Sequence, residues 1–77
     1  MTDVASRAAA AKRLLDDEVL AEALEDIRAE FMQSWRNTAD ENTDARENVW
    51  RMMKALDRIT AKLESYVADG RFAELRQ

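Results

Sequence analysis

Apolar residues recur along this chain at alternating intervals of three and four. The clearest run is Val49, Met52, Leu56, Ile59, Leu63 and Tyr66. That spacing keeps one stripe on one side of a helix and predicts a helix over 44–69. A second run, Leu20, Leu24, Ile27 and Phe31, continues to Ser34 or Trp35 and predicts a helix over 18–36. A third and shorter run, Val4, Ala8, Ala11 and Leu15, marks an alanine-rich helix over 3–15.

Polar residues divide these segments. Asp17 is a candidate N-cap for the second helix, and Glu18 and Glu22 place negative charge toward its N-terminal end. The stretch 37–43, Asn37-Thr38-Ala39-Asp40-Glu41-Asn42-Thr43, is made of turn and cap formers and reads as a linker. Asp44 with Glu47 three residues on resembles a capping box, and Thr43 is an equally plausible cap. Gly70 suits the left-handed position just past a helix end, leaving a C-terminal tail over 70–77 in which Phe72 folds back on the last turn. An unbroken helix over 3–36 would carry its two stripes on nearly opposite sides. Either the chain bends at Asp16-Asp17, or the first helix packs on something other than its own hairpin; the bend is preferred. The expected fold is all-α, one small domain over 1–77. It is an antiparallel helical hairpin preceded by a short Ala-rich helix, a small bundle or coiled-coil-like unit.

Composition then narrows the chemistry. The 77 residues include no Cys, no His, no Pro and one Gly. There is no thiolate nucleophile and no disulfide framework, and the commonest metal ligand and general base is missing. A β-rich chain with many tight turns is improbable without turn residues. No apolar run approaches the roughly 20 residues of a membrane span, and the first residues lack the apolar core of a signal peptide. A cytoplasmic protein that does not enter the membrane is expected. Asp40, Asn42 and Asp44 match the opening of a calcium loop, but Ala45 stands where the loop needs Gly and Arg51 where it needs Glu. No catalytic residue, cofactor or metal site is expected, and the chain does not read as an enzyme.

Charge is segregated. The net charge is −4. Residues 16–36 hold seven acids against Arg28 and Arg36, whereas residues 44–69 balance five acids with five bases. Glu18, Glu22, Glu25 and Asp26 form an acidic face opposite the Leu20 stripe. Arg51, Lys54, Arg58 and Lys62 recur at three and four as a basic ridge, roughly 125° from the apolar stripe of their helix. That ridge is either a solvated face or a docking surface for an acidic partner, including the acidic helix of another copy. Nucleic acid is the weaker alternative, because no aromatic residue interleaves the bases. Trp50 also falls off the apolar stripe, with Met53 between; it is an interface anchor or is covered by a flanking helix or Phe72. Trp35 is expected to close the hairpin near the linker, close to Val49.

Leu14-Leu15-Asp16-Asp17-Glu18-Val19-Leu20-Ala21-Glu22-Ala23-Leu24 resembles the opening of small helical-hairpin proteins of unassigned activity encoded in bacteriophage and prophage genomes. Trp35 before a polar linker, Ala45-Arg46-Glu47-Asn48-Val49-Trp50, Ala55-Leu56-Asp57, Leu63 and Asp69-Gly70-Arg71-Phe72-Ala73 extend the resemblance over most of the chain. Those proteins often carry Pro where this chain has Glu18, so a continuous first helix stays open here. The resemblance implies a viral accessory role and supplies no catalytic residues.

The expected function is therefore non-enzymatic protein–protein interaction. The chain would be a phage accessory or virion- and assembly-associated component, in the bacterial cytoplasm or on the virion. Two hairpin helices with about 12 core side chains only roughly offset the ordering entropy. Burial against a second copy or a phage structural protein would complete the core, and a self-sufficient three-helix mini-bundle is the alternative. An acidic inhibitor of a host defence complex, imitating a phosphate row as an anti-CRISPR would, is the second function considered. A DNA-packaging factor using the basic ridge is the third.

Overall fold

The computed structural model describes residues 3–76. It is all-α, with helices α1 (Val4–Leu15), α2 (Glu18–Asn37) and α3 (Thr43–Leu75) and no strand among the described residues. The molecule is a rod measuring 56 × 23 × 21 Å. At about 1.5 Å per residue the 33 residues of α3 span nearly its whole length. Helices α1 and α2 run end to end along α3 in the opposite direction. Helix α1 lies on the C-terminal half, where Arg7 meets Asp69. Helix α2 lies on the N-terminal half, where Arg28 pairs with Asp57. The fold is a hairpin whose first arm is broken once.

The break sits at Asp16-Asp17, and its geometry is small. Asp16 keeps helical angles (φ −86°, ψ −7°), and its amide donates to the Lys12 carbonyl at 3.0 Å. Asp17 turns extended (φ −74°, ψ 117°), and its Oδ1 accepts from the Leu20 amide at 2.9 Å. One extended residue thus ends α1, and its side chain starts α2. The Ala11–Leu15 and Leu20–Leu24 stripes, nearly opposite on one continuous helix, both reach α3 after this rotation. At the other end Asp3 caps α1, accepting from the amides of Ala5 at 2.8 Å and Ser6 at 3.2 Å.

The structure corrects the ends of the third helix. Its cap is Asn42, whose Oδ1 accepts from the Ala45 amide at 3.3 Å, so neither Thr43 nor Asp44 takes that role. Asp44 instead adds charge to the first turn, and Glu47 turns toward Arg51, 3.5 Å away. The helix continues through Gly70 to Leu75, and residues 70–75 are not a tail. Gly70 has no positive φ. It is buried because α1 crosses it: a Cβ added there would lie 2.4 Å from the Ala8 Cβ. The glycine answers a close approach between helices and not a helix end. Phe72, within the helix, stands 67% exposed and does not fold back.

The seam also differs in detail. Val49, Leu56, Leu63 and Tyr66 are at least half-covered, but Met52 and Ile59 stand exposed while Met53 and Thr60 face inward. The apolar arc of α3 is wider than one neighbouring helix covers, and α2 covers the side away from Met52 and Ile59. In α2, Leu20, Leu24, Phe31 and Trp35 carry the packing. Among the described residues few are buried: Ala11, Leu56 and Gly70. Two of them lie where α1 meets α3, so the short helix makes the tightest packing in the molecule.

Candidate functional surfaces

The basic ridge follows from helical spacing and lies on the outer side of α3, where Arg51, Lys54, Arg58 and Lys62 are all exposed. Local partners hold three of the four. Arg51 meets Glu47 at 3.5 Å, the Lys54 ammonium sits 5.3 Å from the Trp50 ring, and the Lys62 ammonium sits 5.6 Å from the Tyr66 ring. Trp50 itself is 52% exposed. Phe72 is 22 residues further on, about 33 Å along the helix axis, and cannot reach it. Met53 lies on the half-covered side, turned toward the seam.

The acidic face of α2 is equally open. Glu18, Glu22, Glu25 and Asp26 are exposed. Among the described residues none of these four carboxylates joins an ion pair, whereas Asp16, Asp40, Asp57 and Asp69 each have one. The structure does not bring the acidic face and the basic ridge of one chain together. Nor do three or more His, Cys, Asp or Glu side chains gather to hold a metal ion among the described residues. Among the described residues no helix is long and apolar enough to cross a membrane.

A side chain that the sequence did not single out organises the hairpin's closed end. The Arg46 guanidinium lies 4.1 Å from the centroid of the Trp35 ring. It donates to the Thr38 carbonyl at 3.3 Å and stands 3.5 Å from Asp40. One cation thus ties the last turn of α2, the loop and the first turn of α3. Arg7 acts similarly at the open end, 4.2 Å over the Tyr66 ring and 3.6 Å from Asp69. An aromatic residue facing a cation across an antiparallel pair is the signal that would have found both.

Apolar surface remains on both edges of the α2–α3 seam. On one edge, near the break, Leu14, Leu20, Leu24, Leu56 and Thr60 line an open groove. On the other edge stand Ile27, Met52 and Ile59, the last two 45% and 52% exposed. The arrangement can offer shape, apolar area and charge. Compared with protein-family models, curated proteins and solved structures, the chain matches none.

Proposed function

We propose that this protein is a non-enzymatic interaction module that acts by laying a helical face against another protein. The observation that carries this reading is the imbalance between covered and uncovered apolar residues. Among the described residues Ala11 and Leu56 are the buried hydrophobics, while Ile27, Met52 and Ile59 stand exposed side by side along one edge of the α2–α3 seam, and Val19, Trp50 and Phe72 stand exposed elsewhere. Contiguous apolar surface rimmed by charge is a mark of protein interfaces. The sequence resemblance carries the reading one step further, to a phage accessory or virion-associated component.

Photo-crosslinking tests it. A photoreactive amino acid is placed at Trp50 or at Ile59 and compared with the same probe at exposed Gln33. Covalent adducts to a defined protein are expected from the Trp50 or Ile59 probe. No adduct above the Gln33 level from either position would end the reading.

A second reading is favoured by the unpaired carboxylates of α2. Glu18, Glu22, Glu25 and Asp26 would occupy a basic nucleic-acid channel of a host defence complex. Here Glu22→Lys with Glu25→Lys should abolish inhibition of that complex while the helical circular dichroism signal is kept. Undiminished inhibition would exclude mimicry.

A further inference from the structure

Two contacts fix which side of the α2–α3 seam is which. Arg28 pairs with Asp57, and Arg46 stacks on Trp35. On α3, Asp57 and Arg46 lie roughly 100° and 80° to one side of Leu56, while Met52 and Ile59 lie roughly 40° and 60° to the other. On α2, Arg28 lies roughly 40° to one side of Leu24 and Ile27 roughly 60° to the other. Both contacts therefore lie on one edge of the seam, the edge of the open groove that Arg28 and Thr60 help to line. Ile27, Met52 and Ile59 share the opposite edge, with alanines 23 and 55 beside them, and all five residues are exposed.

Charge borders this apolar strip in a fixed order. Outward of Ile27 on α2 stand Glu30 and Asp26, roughly 120° and 160° from Leu24. Outward of Ile59 on α3 stand Lys62, Arg51 and Arg58, roughly 120° to 160° from Leu56 in the same sense. One border is acidic, the other basic, and the centre is apolar.

We infer that this face pairs with the same face of a second copy, about a two-fold axis parallel to the rod. This rests on the interaction reading above and names its partner. A two-fold along the rod lays α2 of each copy over α3 of the other and keeps every residue at its own level. Acidic borders then meet basic borders twice. The Arg28–Asp57 pairing sets the register. It puts Asp26 of one copy level with the Arg58–Ile59 turn of the other. Glu30 comes level with the turn between Arg51 and Arg58. Ile27, Met52 and Ile59 of both copies meet at the centre of a four-helix layer, an antiparallel α2–α3 contact that repeats the packing within each chain. The opposite rotation, with the axis across the rod, would set α3 on α3 and its bases on bases.

The test is the mass of the full chain in solution, by sedimentation or light scattering. A mass twice that of the chain is expected. Ile59→Glu should give a monomer with its helical circular dichroism intact, because Ile59 makes no buried contact in the single chain. A charge exchange then reads the orientation through each variant alone, because an α3-on-α3 pairing would leave each variant self-associating as the wild type does. One variant carries Asp26→Lys with Glu30→Lys, and another carries Arg58→Glu with Lys62→Glu. Each alone should be monomeric, and their equimolar mixture should form a heterodimer, since both junctions become attractive only in the mixture. A wild-type monomer at every accessible concentration overturns the inference, as does a dimer that survives Ile59→Glu or variants that fail to pair when mixed. A wild-type monomer whose Ile59 photoprobe still captures a different protein overturns self-pairing and leaves the interaction reading standing.

Discussion

Gly70 passes Ala8 so closely that a Cβ at position 70 would lie 2.4 Å from the Ala8 Cβ. The atom it would meet is fixed to the α1 backbone and cannot swing aside, so relief requires the whole of α1 to move. Gly70→Ala raises helix propensity by about 1 kcal/mol, and overpacking of this kind costs about 1–3 kcal/mol. The expected result is a net loss in denaturant unfolding, with α1 amides exchanging fastest. Ala8→Gly added to Gly70→Ala restores the space. The double variant should be more stable than the sum of the two single effects. Strict additivity would remove the close approach as the reason for the glycine.

Arg46 should matter more than its position in a first turn suggests. Its side chain is largely covered, stacks on Trp35 and reaches the Thr38 carbonyl and Asp40. Arg46→Ala is expected to lower stability by about 1–2 kcal/mol through lost stacking and loop anchoring. Arg46→Lys keeps the charge but not the planar stack or the fork of donors, so most of that loss should remain. A double-mutant cycle with Trp35→Leu measures the coupling. Zero coupling would mean that the ring and the cation are neighbours only.

The break between α1 and α2 rests on one side chain. Asp17→Ala removes the acceptor for the Leu20 amide, a loss of about 1 kcal/mol by the usual worth of an N-cap. It also removes the local reason for the chain to leave helical angles at 17. A straightened α1–α2 helix would rotate Ala8 and Ala11 away from α3, so straightening and docking exclude each other. Hydrogen exchange should show Ala8 and Ala11 amides losing protection more than those of Phe31 to Trp35. Uniform loss along the chain would contradict this.

The three helices were legible because their stripes keep a period of three and four over several turns, and the Asp17 break because two such stripes disagree in phase. Where the sequence misled, the cause was tertiary. The apolar arc from Ile59 to Met53 is too wide for a single neighbour, and only the placement of α2 decides that Met53 and Thr60 turn inward while Met52 and Ile59 do not. Gly70 has the same local signature whether it ends a helix or admits a neighbour; α1 decides. Asn42, Thr43 and Asp44 are all competent caps, and a shift of one or two residues costs little. For the candidate surfaces, helical phase alone places Arg51, Lys54, Arg58 and Lys62 outward. The edge shared by Ile27, Met52 and Ile59 needed the Arg28–Asp57 register between two helices.

The start of α1 should respond to acid through Asp3. The Ser6 hydroxyl donates to its Oδ2 at 2.8 Å, and the amides of Ser6 and Ala5 donate to its Oδ1. These hydrogen bonds, the Ser6 hydroxyl foremost, hold the Asp3 carboxyl below the ordinary carboxylate value. The folded form therefore binds the proton more weakly than the unfolded form. The cap's contribution is complete above the unfolded value and is lost as pH falls through the lower folded one. Amide chemical shifts of Ala5 and Ser6, followed from neutral pH downward, should move together at a midpoint below that of a free aspartate. Asp3→Asn keeps an accepting oxygen but does not titrate, so that step should vanish while α1 stays capped. The same step in Asp3→Asn would assign it to another carboxyl.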